Sequence, residues 1–354
     1  MREVGCELLD FQGIRRGPIL RMARLRSLLL LGRETRTFLL AGETREFGKK
    51  AFPRERSRIA WAAADIVFRK VAEADAVAVW NGSRDIALAA ARAARSLGKP
   101  MVFVENGFLP GTVQMDLKGV NFESSIADLT PDAVRAMSLP PSAFQAAKEI
   151  AYRQRPLGRD NGLSDTPDPL PKDLPSEFVL FAAQVHDDSQ IGRFSPEFRT
   201  IDAAIRYAAR ECAAAGLPMV VKEHPSDHGR VDLGPLKASL PKVRFLDKAD
   251  NTALIERCRA FVTVNSSMGL QAVDAGKPVF TLGDAAYNLP GIAHRVRPPE
   301  RLREALPVPF VDEALRRQYL AYLAGVALVP FRSRMPTDED LRGVMRRMVE
   351  LLCG

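Results

Sequence analysis

Polar side chains follow several of the predicted buried strands, at the positions where the strands end. Carboxylates come after two of them, at Glu105 and at the pair Asp187-Asp188, and a histidine comes after a third, at His224. Carboxylate and imidazole groups commonly act as nucleophiles, acids and bases in enzymes. Because ligands of open α/β sheets bind beyond the carboxyl ends of the strands, the sequence predicts a reactive site along this rim.

The stretch from Phe261 to Gly291 gives the clearest prediction of local structure. Its successive parts indicate a strand, a polar turn, a helix and a second strand: Phe261–Val264, Asn265–Ser267, Met268–Ala275 and Pro278–Leu282. Free backbone N–H groups and the helix dipole favour an anion at the start of a helix. We therefore expect the turn at Asn265–Ser267 to bind an anionic group.

Strands and helices alternate in both halves of the chain. The other predicted strands are Ala76–Trp80, Pro100–Val104, Phe178–Ala183, Leu217–Val221 and Val243–Leu246. Between and after them the spacing of apolar residues predicts helices at Arg84–Leu97, Pro131–Gln154, Pro196–Ala215, Thr252–Arg259, Val311–Val326 and Asp338–Leu352. A long polar connection, Glu105–Ser125, follows the second strand. This alternation predicts an α/β fold of two Rossmann-like domains (GT-B-like) that face one another across a cleft, with C-terminal helices.

The predicted domain boundaries follow changes in composition. A basic N-terminal segment at 1–58 precedes an N-terminal Rossmann-like, acceptor-side domain at 59–155. A linker rich in Pro, Gly and Asp at 156–176 leads to a C-terminal Rossmann-like, nucleotide-sugar domain at 177–310, and helices complete the chain at 311–354.

The positive charge of the chain lies near its N-terminus. The net charge is +8, and Arg15–Arg58 contains thirteen Arg or Lys residues against four Glu. Such a block is either a solvated face or a surface for an anionic membrane, an anionic acceptor or nucleic acid. Its few aromatic residues and the lack of a nucleic-acid-binding motif argue against nucleic acid. We expect no nucleic-acid partner, and peripheral contact of residues 15–58 with an anionic membrane.

The four cysteines are scattered without a C-x-x-C pair, which predicts neither a zinc site nor a disulfide framework. The apolar run Leu28–Leu31 is far too short to span a bilayer. We therefore expect no metal, a reducing compartment, and a cytoplasmic protein at the inner face of the cytoplasmic membrane.

Missing motifs narrow the class of enzyme. The chain has no G-x-G-x-x-G motif for dinucleotides, no P-loop and no G-x-S-x-G elbow of a hydrolase. Two α/β domains with an anion site and acid/base residues fit a nucleotide-sugar glycosyltransferase.

Four ordered segments together resemble the bacterial capsule polysaccharide biosynthesis family: Glu105–Asn121, Phe181–Ile191, Val220–Pro225 and Val264–Gly291. The characterised members of that family are retaining β-Kdo glycosyltransferases that use CMP-Kdo. The resemblance covers roughly Val77–Gly291. It departs from the family at Phe181-Ala182-Ala183, where an apolar-Pro-Leu sequence is more usual.

The resemblance implies roles for individual residues. The catalytic residues would be Glu105 in the E-N-G-F motif, Asp188 in the Q-x-x-x-D motif and His224 in the K-x-H-P motif. The residues expected around the nucleotide sugar are Gln184, Lys222, Asn265, Ser266, Ser267 and Gln271, and those expected on the acceptor side are Asn81, Asn106 and Asn121. No cofactor is implied, since CMP-Kdo is the donor substrate and a lipid or glycan the acceptor.

Several alternatives stay open at the level of sequence. Asp187 competes with Asp188 as the nucleophile because the two are adjacent, and either one, like Asn265–Ser267, is also a suitable helix cap. A two-Rossmann transferase or epimerase that uses a UDP-sugar is one alternative function. A non-enzymatic protein of capsule assembly or export is the other.

Overall fold

In a computed structural model the chain forms two compact units. The structure describes residues 66–83, 85–150, 170–186, 188–307, 311–331 and 336–353. The first unit comprises the described residues up to Asn106, Gln114–Val120 and the residues from Asp338 onward, and the second comprises Gly107–Val113 and Asn121–Thr337. The predicted basic segment 1–58 and much of the predicted linker 156–176 lie outside the described residues.

The second unit is built on a six-stranded parallel sheet. Its strands are β4 (Val179–Ala182), β5 (Met219–Lys222), β6 (Arg244–Leu246), β7 (Ala260–Thr263), β8 (Val279–Thr281) and β9 (His294–Arg295). Their order is β6-β5-β4-β7-β8-β9, so the chain moves outward from β4 to β6, returns to β7 beside β4, and then moves outward in the other direction. This is the Rossmann strand order, with its switch point between β4 and β7.

The sequence of the central strands explains why both faces of this sheet are covered. Every residue of β4, β5, β7 and β8 is buried, as expected for parallel strands with helices on both sides. Side chains alternate between two hydrophobic cores: Leu180 and Phe261 point into one, and Phe181 and Val262 into the other. The predicted α/β class with parallel sheets is confirmed.

Helices connect and flank the strands of the second unit. They are α3 (Pro131–Ala136), α4 (Pro141–Lys148), α5 (Ser189–Phe194), α6 (Ile201–Ala214), α7 (Gly234–Ser239), α8 (Asn251–Arg257), α9 (Met268–Asp274), α10 (Leu302–Ala305) and α11 (Glu313–Tyr322). Side-chain oxygens of Thr130, Asp188, Thr200, Asp250 and Asp312 accept backbone N–H groups at the starts of five of them. These caps supply partners for N–H groups that have none inside a helix.

The first unit has a shorter parallel pair of strands. Helix α1, described over 66–73, precedes β1 (Val77–Trp80), α2 (Asp85–Ser96), β2 (Met101–Asn106) and β3 (Thr112–Asp116), and α12 (Asp338–Cys353) packs against β2. β1 and β2 are parallel, with Val77 opposite Met101. After β1 the chain turns at Asn81 and Gly82, both with positive φ, and a Cβ on Gly82 would lie 2.5 Å from the Phe103 ring.

The structure differs from the predicted elements at specific places. β3 lies inside the predicted connection Glu105–Ser125; its mixed polarity hid it, although Gln114 and Asp116 are buried. A further strand, β10 (Leu328–Pro330), was not predicted; it follows a π-helical turn at Leu323–Ala327, which overlaps the end of the predicted helix Val311–Val326. The single helix predicted at Pro131–Gln154 is divided into α3 and α4, because consecutive prolines at 140 and 141 interrupt it.

The grouping of elements also differs from the predicted domains. Residues 121–150 belong to the second unit, because α3 and α4 pack against α11, and 338–353 belong to the first. Arg135 of α3 pairs with Asp312 at 2.8 Å, and Gln318 of α11 donates to the carbonyl of Met137 at 2.7 Å. Among the residues that the structure describes, no helix is both long and apolar enough to cross a bilayer.

Candidate functional site

Gln184 and Asn265 follow the two central strands, β4 and β7, and meet at the switch point of the second sheet. Gln184 is buried, and its Nε2 donates to Oδ1 of Asn265 at 2.8 Å. Its Oε1 accepts the backbone N–H of Asn265 at 3.0 Å. Because a sheet of this kind binds its ligand where the strand order reverses, this paired amide forms the floor of the candidate site.

Asp188 lies beside this pair and caps α5. Its Oδ1 accepts the backbone N–H of Gln190 at 2.9 Å, and its Oδ2 accepts Nε2 of Gln184 at 3.0 Å. One donor thus comes from the helix backbone and the other from a buried amide, and together they fix the direction of the carboxylate. The alternative carboxylate, Asp187, lies outside the described residues.

The side-chain amide of Asn265 continues the network to two further segments. Its Nδ2 donates to the carbonyl of Gln190 at 3.2 Å and to the carbonyl of Asp284 at 3.3 Å. Gln190 lies in the first turn of α5 and Asp284 follows β8. The polar turn after β7 is therefore tied to the loops after β4 and β8, which makes Asn265 the centre of the rim.

The beginning of α9 has most of its backbone donors engaged within the chain. The N–H of Met268 donates to Oγ of Ser266 at 3.2 Å, and the N–H groups of Gly269 and Leu270 donate to the carbonyls of Ser266 and Ser267, each at 3.0 Å. α9 is also only seven residues long. The predicted anion site at this turn therefore depends on side chains, in particular the exposed Ser267, and it stays a prediction.

Tyr287 contacts the Asn265–Ser267 turn through its hydroxyl group. Its hydroxyl donates to the carbonyl of Ser266, and burial raises the pKa of the phenol. A Cβ on Gly269 would lie 2.8 Å from Cζ of Tyr287, so only glycine fits where α9 crosses the ring. In the sequence, only the glycine itself indicates this contact.

Lys222 and His224 lie at and beyond the end of β5, next to β4 in the sheet. Lys222 is buried, and its Nζ donates to the carbonyls of Glu223 at 3.0 Å and Asp247 at 2.9 Å. His224 caps the 3-10 turn Pro225–Asp227, and its Nδ1 accepts the N–H of Ser226 at 3.1 Å. Since Nδ1 accepts, the neutral ring carries its proton on Nε2.

Glu105, the predicted acid/base residue, lies in the first unit at the end of β2. One carboxylate oxygen accepts the side-chain amide of Asn81, and the other accepts the backbone N–H of Asn106 at 2.8 Å and its amide at 3.2 Å. Two predicted acceptor-side residues thus contact Glu105 directly. The chain then reverses through Gly107, where a Cβ would lie 2.9 Å from Cβ of Thr112.

Two other predicted site residues, Asn121 and Gln271, form hydrogen bonds with Ser124 and Thr252. Asn121, of positive φ, starts a 3-10 turn in the second unit, and its carbonyl accepts from the Ser124 hydroxyl at 2.7 Å. Gln271 lies on α9, and its amide donates to Oγ1 of Thr252 at 3.1 Å. The roles of Asn121 and Gln271 stay predictions.

The sequence places His186 and Asp227 after two strands of the same rim but does not predict the charged cluster that they form with Asp202. The ring of His186 lies between two carboxylates, with Nδ1 2.9 Å from Asp227 and Nε2 2.7 Å from Asp202. His186 stands out in the sequence only because it is two residues before Asp188. Its partners are 16 and 41 residues away, so no local pattern indicates them.

Comparison with known proteins agrees with the geometry of the second unit. A family model described as capsule polysaccharide biosynthesis protein matches residues 140–329, which include the sheet and the rim around Gln184 and Asn265. The chain belongs to the capsule polysaccharide biosynthesis protein family. The family that the sequence resembles is thereby confirmed.

The chain is also similar to a curated relative and to solved structures. The protein FixF of Sinorhizobium fredii is 31% identical over 259 residues, covering 72% of this chain and 60% of FixF, so the chain spans less than two thirds of that relative. Two structures of KpsC from Thermosulfurimonas dismutans share its fold, each with a TM-score of 0.50. The β-Kdo 2,4 transferase is 19% identical and covers 78% of this chain and 87% of its own. The β-Kdo 2,7 transferase is 17% identical and covers 86% and 94%.

Proposed function

We propose that this chain is a glycosyltransferase of capsule or surface polysaccharide biosynthesis that transfers Kdo from CMP-Kdo to a lipid or glycan acceptor with retention of configuration. The observation that carries the proposal is the Asp188 carboxylate held by Gln184, which is itself bonded to Asn265, at the switch point of a Rossmann-type sheet. Membership of the capsule family and the fold shared with two β-Kdo transferases support the choice of donor.

Retention follows from two successive displacements at the anomeric carbon. An oxygen of Asp188 attacks that carbon, and the bond to the phosphate oxygen breaks as CMP leaves with the bonding electrons. The acceptor hydroxyl oxygen then attacks the same carbon, Asp188 departs as a carboxylate, and the hydroxyl proton passes to Glu105. Each step inverts the carbon, so the product keeps the configuration of the donor.

The residues after β5 are assigned to the departing nucleotide. His224 would donate its Nε2 proton to a phosphate oxygen, since its Nδ1 accepts a backbone N–H. Lys222 holds the ends of β5 and β6 through two carbonyls and contributes positive charge there. Ser266 and Ser267 would donate their hydroxyl groups to the same phosphate. Charge that develops on a leaving group is best stabilised by donors fixed in advance.

The nucleotide is tested by thermal shift with CMP, CDP, UDP and GDP. A ligand that binds only the folded chain stabilises it by about 2.7 kcal/mol at 100 times its Kd. We expect a rise in Tm with CMP that exceeds the rise with UDP. The reverse order would favour a transferase or epimerase that uses a UDP-sugar.

The chemistry is tested by mass spectrometry of the full chain with CMP-Kdo. We expect a Kdo adduct to accumulate in the Glu105→Gln variant, because the second displacement lacks its base. Fragmentation of the peptide that contains Asp187 and Asp188 then identifies which of the two is labelled. Transfer without any adduct on either aspartate would contradict the double displacement. Addition of lipid or glycan acceptors to the wild type identifies the acceptor class in the same assay.

The basic segment Arg15–Arg58 is proposed to bring the chain to an anionic membrane that carries the acceptor. Each Lys or Arg near such a surface contributes about 1 kcal/mol. We expect the chain to float with anionic liposomes. We expect flotation to be lost when the thirteen Arg and Lys residues of the segment are replaced by glutamine. Unchanged flotation of that variant would remove the segment from the proposal.

A further inference from the structure

His186 joins three separate segments of the second unit. It lies in the turn between β4 and α5, Asp202 lies in the first turn of α6, and Asp227 ends the 3-10 turn after β5. The backbone N–H of His186 donates to Oδ2 of Asp227 at 3.1 Å, and ring Nδ1 lies 2.9 Å from the same oxygen. Ring Nε2 lies 2.7 Å from Oδ1 of Asp202. One residue thus fastens the β4–α5 turn to two neighbouring elements.

The partners of the ring determine its charge. A carboxylate accepts hydrogen bonds and does not donate them, so both ring nitrogens are satisfied only when both carry a proton. Among the described residues, the charged groups at His186 are Asp202 from α6, Asp227 from the 3-10 turn, and Arg230, which donates to the other oxygen of Asp227 at 2.8 Å. Two negative groups and one positive group around an imidazolium make a nearly balanced chain of charges.

Solvent screens this cluster less than it screens a surface ion pair. The side chain of Asp227 is 3% exposed and that of His186 is 23% exposed, whereas Asp202 is 41% exposed. The pair His186–Asp227 is therefore screened little by solvent, and Asp202 adds a weaker, partly solvated contact. Removal of Asp202 is accordingly the milder way to change the charge around the ring.

The turn fixed by His186 is the one that presents Asp188. The N–H of Asp188 donates to the carbonyl of Val185 at 2.9 Å, so the peptide units on both sides of His186 form a single turn. A displacement of that turn would move the Asp188 carboxylate away from Gln184, its partner at 3.0 Å. Misplacement of a reacting group by about 1 Å can reduce a rate about 100-fold.

We propose that His186, held as an imidazolium between Asp202 and Asp227, is the positioning residue that directs Asp188 toward the donor. This inference rests on the proposed function, since it assigns the turn to the reaction of Asp188. His186 itself touches neither donor nor acceptor in this scheme. It acts through the backbone of the β4–α5 turn.

The pH dependence follows from the charges. Burial lowers the pKa of His186, but hydrogen bonds to Asp227 and Asp202 outweigh burial and raise the pKa above its ordinary value of 6.5. We call the cluster of His186, Asp202 and Asp227 the clamp. The stability that the imidazolium contributes to the clamp is therefore complete below about pH 6.5, and it is lost as pH rises through the raised pKa of His186 in the folded state. Burial raises the pKa of Asp227, but hydrogen bonds from His186 and Arg230 lower it overall, so Asp227 stays ionised in the same range.

Ring titration of the four histidines by NMR tests the clamp without any substrate. The His186 signal is assigned with His186→Gln. We expect its titration midpoint above 6.5, and we expect Asp202→Asn to lower that midpoint by about one unit because one opposite charge is removed. The control Asp132→Asn removes a carboxylate that is 96% exposed and should leave the midpoint unchanged.

The pH profile of transfer from CMP-Kdo then tests the positioning role. In the wild type, kcat should fall at alkaline pH with the midpoint of the His186 ring, and Asp202→Asn should move both midpoints down together. His186→Gln should lower kcat about 10- to 100-fold, with a smaller change in KM for CMP-Kdo. The fall of kcat at alkaline pH, the alkaline limb of the profile, should disappear in this variant. A residue that serves only stability would lower Tm and leave the limb in place.

Three results would overturn the inference. They are a wild-type ring midpoint at or below 6.5, a limb that does not follow the midpoint in Asp202→Asn, and wild-type kcat in His186→Gln. Absence of transfer by the wild type at every pH overturns the proposed function, and the kinetic role with it. The ring titration in the same samples still decides whether the clamp exists, so the two failures are distinguishable.

Discussion

The two carboxylates assigned to the reaction are held in different ways. Asp188 caps a helix and accepts a buried glutamine amide that is itself bonded to Asn265, 81 residues further along the chain. Glu105 ends a strand and accepts amide groups from Asn81 and its neighbour Asn106, which is exposed. The position of Asp188 thus depends on the register of the whole sheet, and that of Glu105 on one strand pair. We infer that Asp188, on the rim of the second unit, is held more rigidly than Glu105.

The largest effect is expected for Asp188→Asn. Asparagine is also a good N-cap, so this variant keeps the start of α5 while it removes the nucleophile. We expect transfer from CMP-Kdo to fall at least about 1,000-fold with a small change in Tm, by analogy with the loss of a nucleophile that works with its partners as a unit.

Asp132→Asn, on the exposed face of α3, is the matched control for the charge. Near wild-type transfer by Asp188→Asn would refute the assignment and direct attention to Asp187. A large fall in Tm would instead mean that the contact of the carboxylate with Gln184 mainly stabilises the fold.

Glu105→Gln is expected to have the next largest effect. The glutamine can keep contact with Asn106 through its carbonyl oxygen, so the fold of the β2 end should be retained. Loss of a general base typically lowers a rate about 100- to 10,000-fold. We expect kcat to fall within this range. An added small nucleophile that needs no base, such as azide, should displace Asp188 from the adduct and restore turnover, measured as continuous release of CMP. If azide has no such effect, Glu105 is not the general base of the second displacement.

Gln184→Leu tests the difference in rigidity between the two carboxylates. The leucine leaves the N–H and Oδ1 of Asn265 without the partner that Gln184 supplies in a buried position. An unpaired buried polar group costs about 1–3 kcal/mol, so we expect the free energy of unfolding to fall by that amount.

Asn106→Ala is the comparison on the other carboxylate. Asn106 is exposed, and a surface substitution usually changes stability by less than about 0.5 kcal/mol. Chemical denaturation of the two variants gives both numbers. Equal losses would show that Asp188 and Glu105 are held equally firmly.

The predictable and unpredictable parts of the molecule differ in the range of their contacts. Buried strands such as Phe261–Val264 were readable because apolar β-branched runs end at polar turns. The family motifs also indicated Gln184, Asp188 and Asn265 individually. Their hydrogen bonds were not readable, since they depend on β7 lying beside β4, which no local pattern specifies. β3 was missed because its buried residues include Gln114 and Asp116.

The contact between His186 and Asp227 in the clamp could not be predicted from the sequence either. His186 and Asp227 each lie in a short polar segment whose sequence fits a solvated turn. Only the fold brings them within 2.9 Å and buries Asp227. Sequence patterns report burial through apolar residues, and a buried ion pair therefore leaves no periodic signal.

The smallest effect is expected at the far end of α5, where Arg193 meets Glu123. Nη2 of Arg193 lies 2.6 Å and 2.8 Å from the two oxygens of Glu123, and Phe194 packs edge-on against Phe122. Both charged side chains are more than a third exposed, so the pair should contribute less than about 1 kcal/mol, and less still at high salt.

Arg193→Gln should therefore lower the free energy of unfolding by only a few tenths of a kcal/mol in 0.5 M salt, measured by chemical denaturation, while the aromatic contact keeps α5 in place. The same variant separates two ideas of how α5 is held. If Asp188 is fixed from its own end, by Gln184 and His186, then kcat should not change. A fall in kcat comparable with that of His186→Gln would mean that the position of Asp188 also depends on the turn that begins at Asn121.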